Sequence, residues 1–200
     1  MQVKGFEIEG LVKVDNARVY GLEESIVASG YPMQVNTEDM ENVDLTEKDY
    51  KRIKHLGNAV AGSGHDCFLK GITVQFDLQV PEYIWRQLDR YHFIDYISSQ
   101  SKMHRITKIN LDSVCNRYVY DEVKEILKSI IDKYEAETDT DKKKELFNEI
   151  IANTPAGLML TARMTTNSLN IGKVLNQSHK YFHSCILWLL LWLIIDFNCK

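Results

Sequence analysis

Residues 73–102 read TVQFDLQVPEYIWRQLDRYHFIDYISSQSK. Val74, Phe76, Leu78 and Val80 alternate with Thr73, Gln75, Asp77 and Gln79, the period of a strand with one buried face. At Pro81 the period changes. Ile84, Leu88 and Tyr91 recur at helical spacing, and proline suits a first helical position, where its missing N–H costs nothing. The pattern predicts a strand over 73–80 inside an antiparallel sheet. It also predicts a helix over 82–92, packed through Ile84, Leu88 and Tyr91, and extended chain again over 93–98.

Upstream, Phe6 and Ile8 alternate with charged residues and predict a first strand. Residues 16–29 are expected to hold a short helix with Leu22, Ile26 and Val27 inward, closed by Gly30 and Pro32. Residues 33–44 read as loop. Thr46 is placed to cap the next helix, with Asp49 three residues on and Leu45 facing Tyr50 as a hydrophobic staple. Gly57, Gly62 and Gly64 then mark a flexible connection. Downstream, the longest helix is predicted over 119–134, with Val119, Val123, Ile126, Leu127, Ile130, Ile131 and Tyr134 on its apolar side. A charged turn over 135–145 leads to a helix around Leu146, Phe147, Ile150 and Ile151, broken by Thr154-Pro155-Ala156-Gly157. Residues 158–166 suit another strand, and a helix starts at Asn167. The fold class is therefore α+β, an antiparallel sheet packed with helices. One domain over 1–183 is the economical division.

The bulk numbers narrow the function. Composition is 44% hydrophobic and 26% charged, as in a globular protein, and the net charge is −4. Such a balance gives no general pull towards nucleic acid or anionic membranes, so neither is an expected partner. An anionic ligand would need a local basic cluster. Cys67, Cys115, Cys185 and Cys199 form no CxxC pair, which argues against a zinc site or a disulfide framework and fits a reducing cytoplasm. MQVKGFEIEG carries no secretory h-region. Residues 185–195 (CILWLLLWLII) are apolar throughout yet shorter than the roughly 18 residues a spanning helix needs. Residues 184–200 thus stand apart as an atypical tail. A buried terminal helix, a tail anchor and an extraneous end (as after a frameshift) all remain open for it.

The densest polar cluster runs over 85–105. It mixes Arg86, Arg90, His92, Lys102, His104 and Arg105 with Gln87, Ser98, Ser99, Gln100 and Ser101. Cations beside short hydroxyls and amides give a phosphate both charge and directed donors. A solvated helix face followed by a polar loop is the bland alternative. The aromatic residues Tyr83, Trp85, Tyr91, Phe93 and Tyr96 read most simply as core.

The spacing of this segment resembles the flavin-dependent thymidylate synthases. Their signature is Arg-His-Arg, seven residues, then Ser, preceded by a strand, a proline and a helix carrying Arg-Gln. Here residues 74–80, Pro81, Arg86-Gln87 and Arg90-Tyr91-His92 follow in register without a gap. Arg90 matches the first signature arginine, which in the family helps hold flavin or nucleotide phosphate, and Gln87 matches a glutamine that contacts deoxyuridylate. Pro155 and Asn167 match a proline and a flavin-site asparagine of the closing segment. The resemblance spans roughly 65–178. Tyr91 and His92 replace the signature's histidine and second arginine. Without a gap, Gln100 stands at the serine and Lys102 at the following arginine; with one insertion, Ser101 and Met103 do. Ile151, Leu169 and Ser178 stand where the family has arginines, for which Arg163, Lys173 or Lys180 are possible substitutes. His65 matches a flavin-contacting histidine if about six residues are inserted.

The resemblance implies methylation of dUMP to dTMP, with methylenetetrahydrofolate as methylene donor and FAD recharged by NADPH. It implies dUMP contacts from Gln87, Arg90, Gln100, Ser101 and Lys102, and FAD contacts from Arg90, His92, Asn167 and His65. No side chain is expected as nucleophile, no metal site is expected, and a homotetramer with shared sites is. A catalytically inactive flavin- or nucleotide-binding relative of the same fold is the alternative.

Overall fold

A computed structural model describes residues 5–36, 44–60 and 63–171. Five strands, β1 (Phe6–Ile8), β2 (Val12–Tyr20), β3 (Thr73–Pro81), β4 (Asp95–Ser99) and β5 (Met159–Asn167), form one antiparallel sheet in the order β1-β2-β3-β5-β4. The protein is therefore α+β, as its patterning predicts. β3 lies at the centre, with Phe76 opposite Met164 and Thr73 opposite Asn167. Its alternation is realised fully. Val74, Phe76, Leu78 and Val80 are buried, packed in one cluster with Val12, Val14 and Val19 of β2, Met164 of β5, and Ile84, Trp85 and Leu88 of the following helix.

The opposite face of the sheet is polar and cross-linked. The Arg163 Nη1 donates to Asp77 at 3.0 Å and to the Asn16 carbonyl at 3.1 Å. Asn16 Nδ2 also donates to Asp77, at 2.6 Å, and Gln79 Nε2 donates to Thr161 Oγ1 at 3.2 Å. Arg163 is thus engaged in a network on the face away from the helical layer.

The helical expectation over 16–29 is half corrected. Residues up to Tyr20 belong to β2, and only α1 (Leu22–Ala28) is helical. Asn16 takes a positive φ of 52° and the β2–β3 register slips between Asp15 and Arg18. A bulge of this kind resets the inward phase from Val12 and Val14 to Ala17 and Val19, and so hides the period of two.

The α2 helix (Glu47–Gly57) begins with a capping box. The Thr46 N–H and Oγ1 both donate to Asp49, at 2.9 and 2.6 Å. The Thr46 hydroxyl, helped by its amide, holds the Asp49 carboxyl down from 3.8 to about 2. A depressed carboxyl stabilises the fold above its unfolded value, and that contribution is lost as pH falls through the folded value. Thr46→Ala is expected to cost about 1 kcal/mol in urea unfolding at neutral pH, the usual worth of an N-cap. The gap between variant and parent should narrow as pH falls towards about 2. Arg52, on the same helix, donates to Ser29 Oγ at 3.0 Å and the Ile26 carbonyl at 2.9 Å, tying α2 to the end of α1.

The helix after β3 is α3 (Glu82–Leu88), shorter than the predicted 82–92. The Tyr91 N–H donates to the Leu88 carbonyl at 2.9 Å, closing a turn. Ile94 is buried and Phe93 packs against the same core. Burying that pair and bringing β4 alongside β5 outweigh one more helical turn.

A second cluster is built by α4 (Lys102–Arg105), α5 (Leu111–Val114), α6 (Asp121–Ala136) and α7 (Thr140–Ala152) with their connections. Ile106, Leu111, Leu127, Ile130, Ile150 and Leu158 form its centre, and Leu160 packs against both clusters. Val123 and Ile126, expected inward, are 36% and 58% exposed, so the apolar face of α6 is wider than its partners cover. Thr154–Gly157 breaks α7 from β5 as predicted, and a helical turn starts at Ser168. Among the described residues no helix is long and apolar enough to cross a membrane. The tail over 184–200, with Ser178, Lys173 and Lys180, lies outside the described residues.

Candidate functional site

α3 leaves the Pro81 end of β3 and leads back towards the Thr73 end. Its seven residues span about 10 Å at 1.5 Å each, so the polar residues around it fall at two ends.

The Thr73–Asn167 end gathers chain from three places. The Phe93 carbonyl accepts from Thr166 Oγ1 at 2.5 Å and from Asn170 Nδ2 at 3.4 Å. The Ser168 N–H donates to the Ile72 carbonyl at 3.0 Å. Asn167 lies between these anchors and accepts the Asn170 N–H at 2.9 Å through Oδ1, capping the helical turn there. His92 precedes Phe93, Arg90 follows α3 directly, and His65 sits in the loop that enters β3 through a 3₁₀ turn, Cys67–Lys70. Of the residues expected to contact flavin, Arg90 and His92 lie in the segment that joins α3 to β4 and Asn167 ends β5, so these three fall at one end of the sheet, while His65 lies in the loop ahead of β3. Arg90, His92 and His65 are exposed, and none makes a side-chain hydrogen bond or ion pair with another described residue. Tyr91 and Phe93 meet edge to face at 5.1 Å beneath them, and burial pushes the Tyr91 phenol up.

The Pro81–Met159 end holds the other expected residues. The first N–H groups of α3 are satisfied by the segment that leads into β5: the Glu82 N–H donates to the Leu158 carbonyl at 3.0 Å and the Tyr83 N–H to that of Ala156 at 3.2 Å. The Glu82 carboxylate then accepts from Lys102 Nζ through both oxygens at 3.2 Å and from Arg86 at 3.1 Å. Ser101 caps α4, its Oγ accepting the His104 N–H at 3.4 Å. Gln100 pins the segment to β5: its N–H donates to the Thr161 carbonyl at 2.9 Å, and its Oε1 accepts from the Thr161 N–H at 3.1 Å and from Arg105.

From the middle of α3 to the Pro81–Met159 end runs a cavity of about 360 Å³, lined by Trp85, Tyr96, Ser99, Gln100, Leu160 and Thr161. Trp85 and Tyr96 stack at 5.3 Å, tilted by 41°. The indole N–H donates to the Leu160 carbonyl at 3.2 Å, and the Tyr96 hydroxyl donates to Asp89 at 2.9 Å. Burial, then the Asp89 contact, pushes the Tyr96 phenol well above its ordinary value. Trp85, Tyr91 and Phe93 join the core as expected. Tyr83 and Tyr96 do not, at 37% and 44% exposed. A larger cavity of about 570 Å³ between α6 and α7 is lined by Lys133, Glu137, Lys142, Glu145 and Glu149 and lies among none of these residues.

The dUMP set is thus divided. Gln87 and Arg90 are exposed on and after the last turn of α3, whereas Gln100, Ser101 and Lys102 lie at its first turn. Glu82 was not among the expected site residues. Its Arg86 partner is visible at i, i+4 spacing, but the Lys102 contact joins residues twenty apart and has no local signal. Leu169 is 6% exposed and Ile151 packs into the second cluster, so two of the family's arginine positions are given over to apolar packing. Cys67 is exposed and Cys115 half-buried, and both are free. Among the described residues no three His, Cys, Asp or Glu side chains are grouped to hold a metal.

Comparison of the sequence with protein-family models gives no match, and comparison with curated proteins gives none either. The fold does find neighbours. It is similar to thymidylate synthase X (ThyX) from Helicobacter pylori in a crystal structure with FAD and dUMP. The TM-score is 0.62 at 12% identity, covering 93% of this chain and 92% of that one. A second crystal structure of flavin-dependent ThyX from Helicobacter pylori, complexed with FAD and dUMP, gives a TM-score of 0.62 at 11% identity over 90% of each chain. At this identity the likeness shows a shared fold, a thymidylate-synthase-like α+β architecture.

Proposed function

We propose that this chain binds FAD and dUMP and methylates dUMP to dTMP, taking the methylene group from methylenetetrahydrofolate and the reducing equivalents from NADPH. The observation that carries the reading is that the segments bearing Arg90, His92 and Asn167 meet at one end of a sheet whose fold matches proteins crystallised with FAD and dUMP. The residues present fit a dinucleotide. Arg90 and His92 are exposed donors with no partner among the described residues, which is what a diphosphate requires. Asn167 holds its turn through Oδ1, which leaves its amide N–H groups for a ring edge. Bound FAD supplies the redox chemistry, and the protein's share is to hold the reacting rings in line. Gln87 and Arg90 then grip the nucleotide from one end of α3. Gln100, Ser101 and Lys102 lie about a helix length away, which suits a homotetramer whose sites are shared between chains.

Arg90→Ala is expected to weaken FAD or dUMP binding by about 1.5–3 kcal/mol, the scale of a charged hydrogen bond. A flavin absorbance titration followed by dUMP measures it, and unchanged affinity for both ligands removes Arg90 from the site.

A second reading keeps the ligands and drops the reaction. It is favoured by the apolar burial of Leu169 and the packing of Ile151, where the family's arginines polarise pyrimidine and phosphate. A preparation that binds FAD and dUMP yet forms no dTMP when given methylenetetrahydrofolate and NADPH decides for it.

A further inference from the structure

Lys102 and Arg86 share one carboxylate. Glu82 offers both oxygens to Lys102 at 3.2 Å, and the one nearer Arg86 accepts there at 3.1 Å as well. The Glu82 and Lys102 side chains are 16% and 23% exposed, while that of Arg86 is 71% exposed. Two cations converging on a set of planar oxygens is the arrangement that recognises a phosphate. Here the oxygens belong to the protein itself. Exchange has a route at this position: the Arg86 side chain is largely exposed, so its half of the contact is weak, and the Glu82–Lys102 contact keeps a partial opening to solvent.

We propose that Glu82 is an internal pseudo-ligand that occupies the phosphate seat formed by Lys102 and Arg86, so that an incoming phosphate monoester must displace it. The proposal rests on the reading of Lys102 as a dUMP contact, takes the nucleotide's phosphate as the group it meets, and adds what sets the affinity there. The carboxylate leaves the trio with a single positive charge, which a monoester dianion would meet only weakly. Once Glu82 turns out, two positive charges face the dianion. The seat therefore discriminates by charge: neutral nucleosides gain nothing from displacing Glu82, and dianions do.

The experiment titrates inorganic phosphate, dUMP and deoxyuridine against the full chain, Glu82→Gln and Glu82→Ala by calorimetry, with circular dichroism to verify folding. Both variants should bind phosphate and dUMP about tenfold tighter than the parent, the worth of one charged hydrogen-bond competitor. Deoxyuridine affinity should stay the same, and Lys102→Met placed in the Glu82→Gln background should abolish the gain. Phosphate affinity that is equal, weaker or unmeasurable in both Glu82 variants overturns the proposal, because a carboxylate that merely staples α4 to α3 predicts no gain. Should the parent bind dUMP without any gain in the variants, the nucleotide reading survives and this one falls. Should phosphate tighten while dUMP binds no better than phosphate, the seat stands and the nucleotide reading falls.

Discussion

Phe76→Ala is expected to lower the unfolding free energy by about 3–5 kcal/mol, the range for removing a fully buried aromatic side chain. Phe76 is completely buried on the central strand, with strands on both sides and Met164 directly across. The cluster that contains it also contains Ile84, Trp85 and Leu88, the inward side of α3. A cavity here cannot be filled by an edge loop, because every neighbour is held by the sheet or by another buried side chain. The urea midpoint should therefore fall steeply. Since α3 carries both ends of the candidate site, ligand affinities should weaken together in whatever fraction remains folded. An unfolding free energy within about 1 kcal/mol of the parent's, less than any typical large-to-small aromatic change, would refute the placement of Phe76.

Gly21→Ala is the second large effect, expected at about 2–5 kcal/mol. Gly21 has φ of 69°, and a Cβ there would stand 2.5 Å from the Gly71 carbonyl oxygen. The left-handed backbone costs an L-residue about 1–2 kcal/mol, and forcing a methyl against main chain adds about 1–3 kcal/mol. The contact is backbone on backbone, so no side chain can rotate away. It joins the corner between β2 and α1 to the segment that delivers Cys67–Lys70 and the start of β3. Beyond the loss in thermal stability, the variant should bind FAD less tightly, because His65 and the Asn167 end depend on that corner. A melting temperature equal to the parent's would show that the two glycines do not approach as described.

The parts of this fold legible from the sequence are those where one local period persists. Over 73–80 the alternation is unbroken, and Pro81 marks the change to helix within one residue. Thr46 and Asp49 announce their box because both partners lie within four residues. β2 was illegible for the opposite reason: Asn16 inserts an extra residue, and the inward set changes parity at the point where a pattern would be counted. The end of α3 was misread at Leu88 because the decision is made elsewhere, by Thr166 and Asn170 holding the Phe93 carbonyl from more than seventy residues away. The candidate site divides in the same way. The resemblance picked out Arg90, His92 and Asn167, which the topology gathers at one end. Glu82 stayed hidden, since its meaning lies in Lys102, and no spacing rule joins one helix start to another beyond the next strand.

The outermost strand has a consequence for behaviour in concentrated solution. All five residues of β4 are exposed, and among the described residues it pairs on one side alone, with β5. Its pairing slips between Tyr96 and Ser98, so Ile97 falls out of the ladder, and the strand opens on the charged Asp95. A flat, regular border would invite molecules to join edge to edge into growing ribbons. Here the kink breaks the row of free amides and carbonyls after two or three residues, and the carboxylate repels an identical neighbour. The same short segment that leads into the candidate phosphate seat thus guards the protein against fibrous self-association.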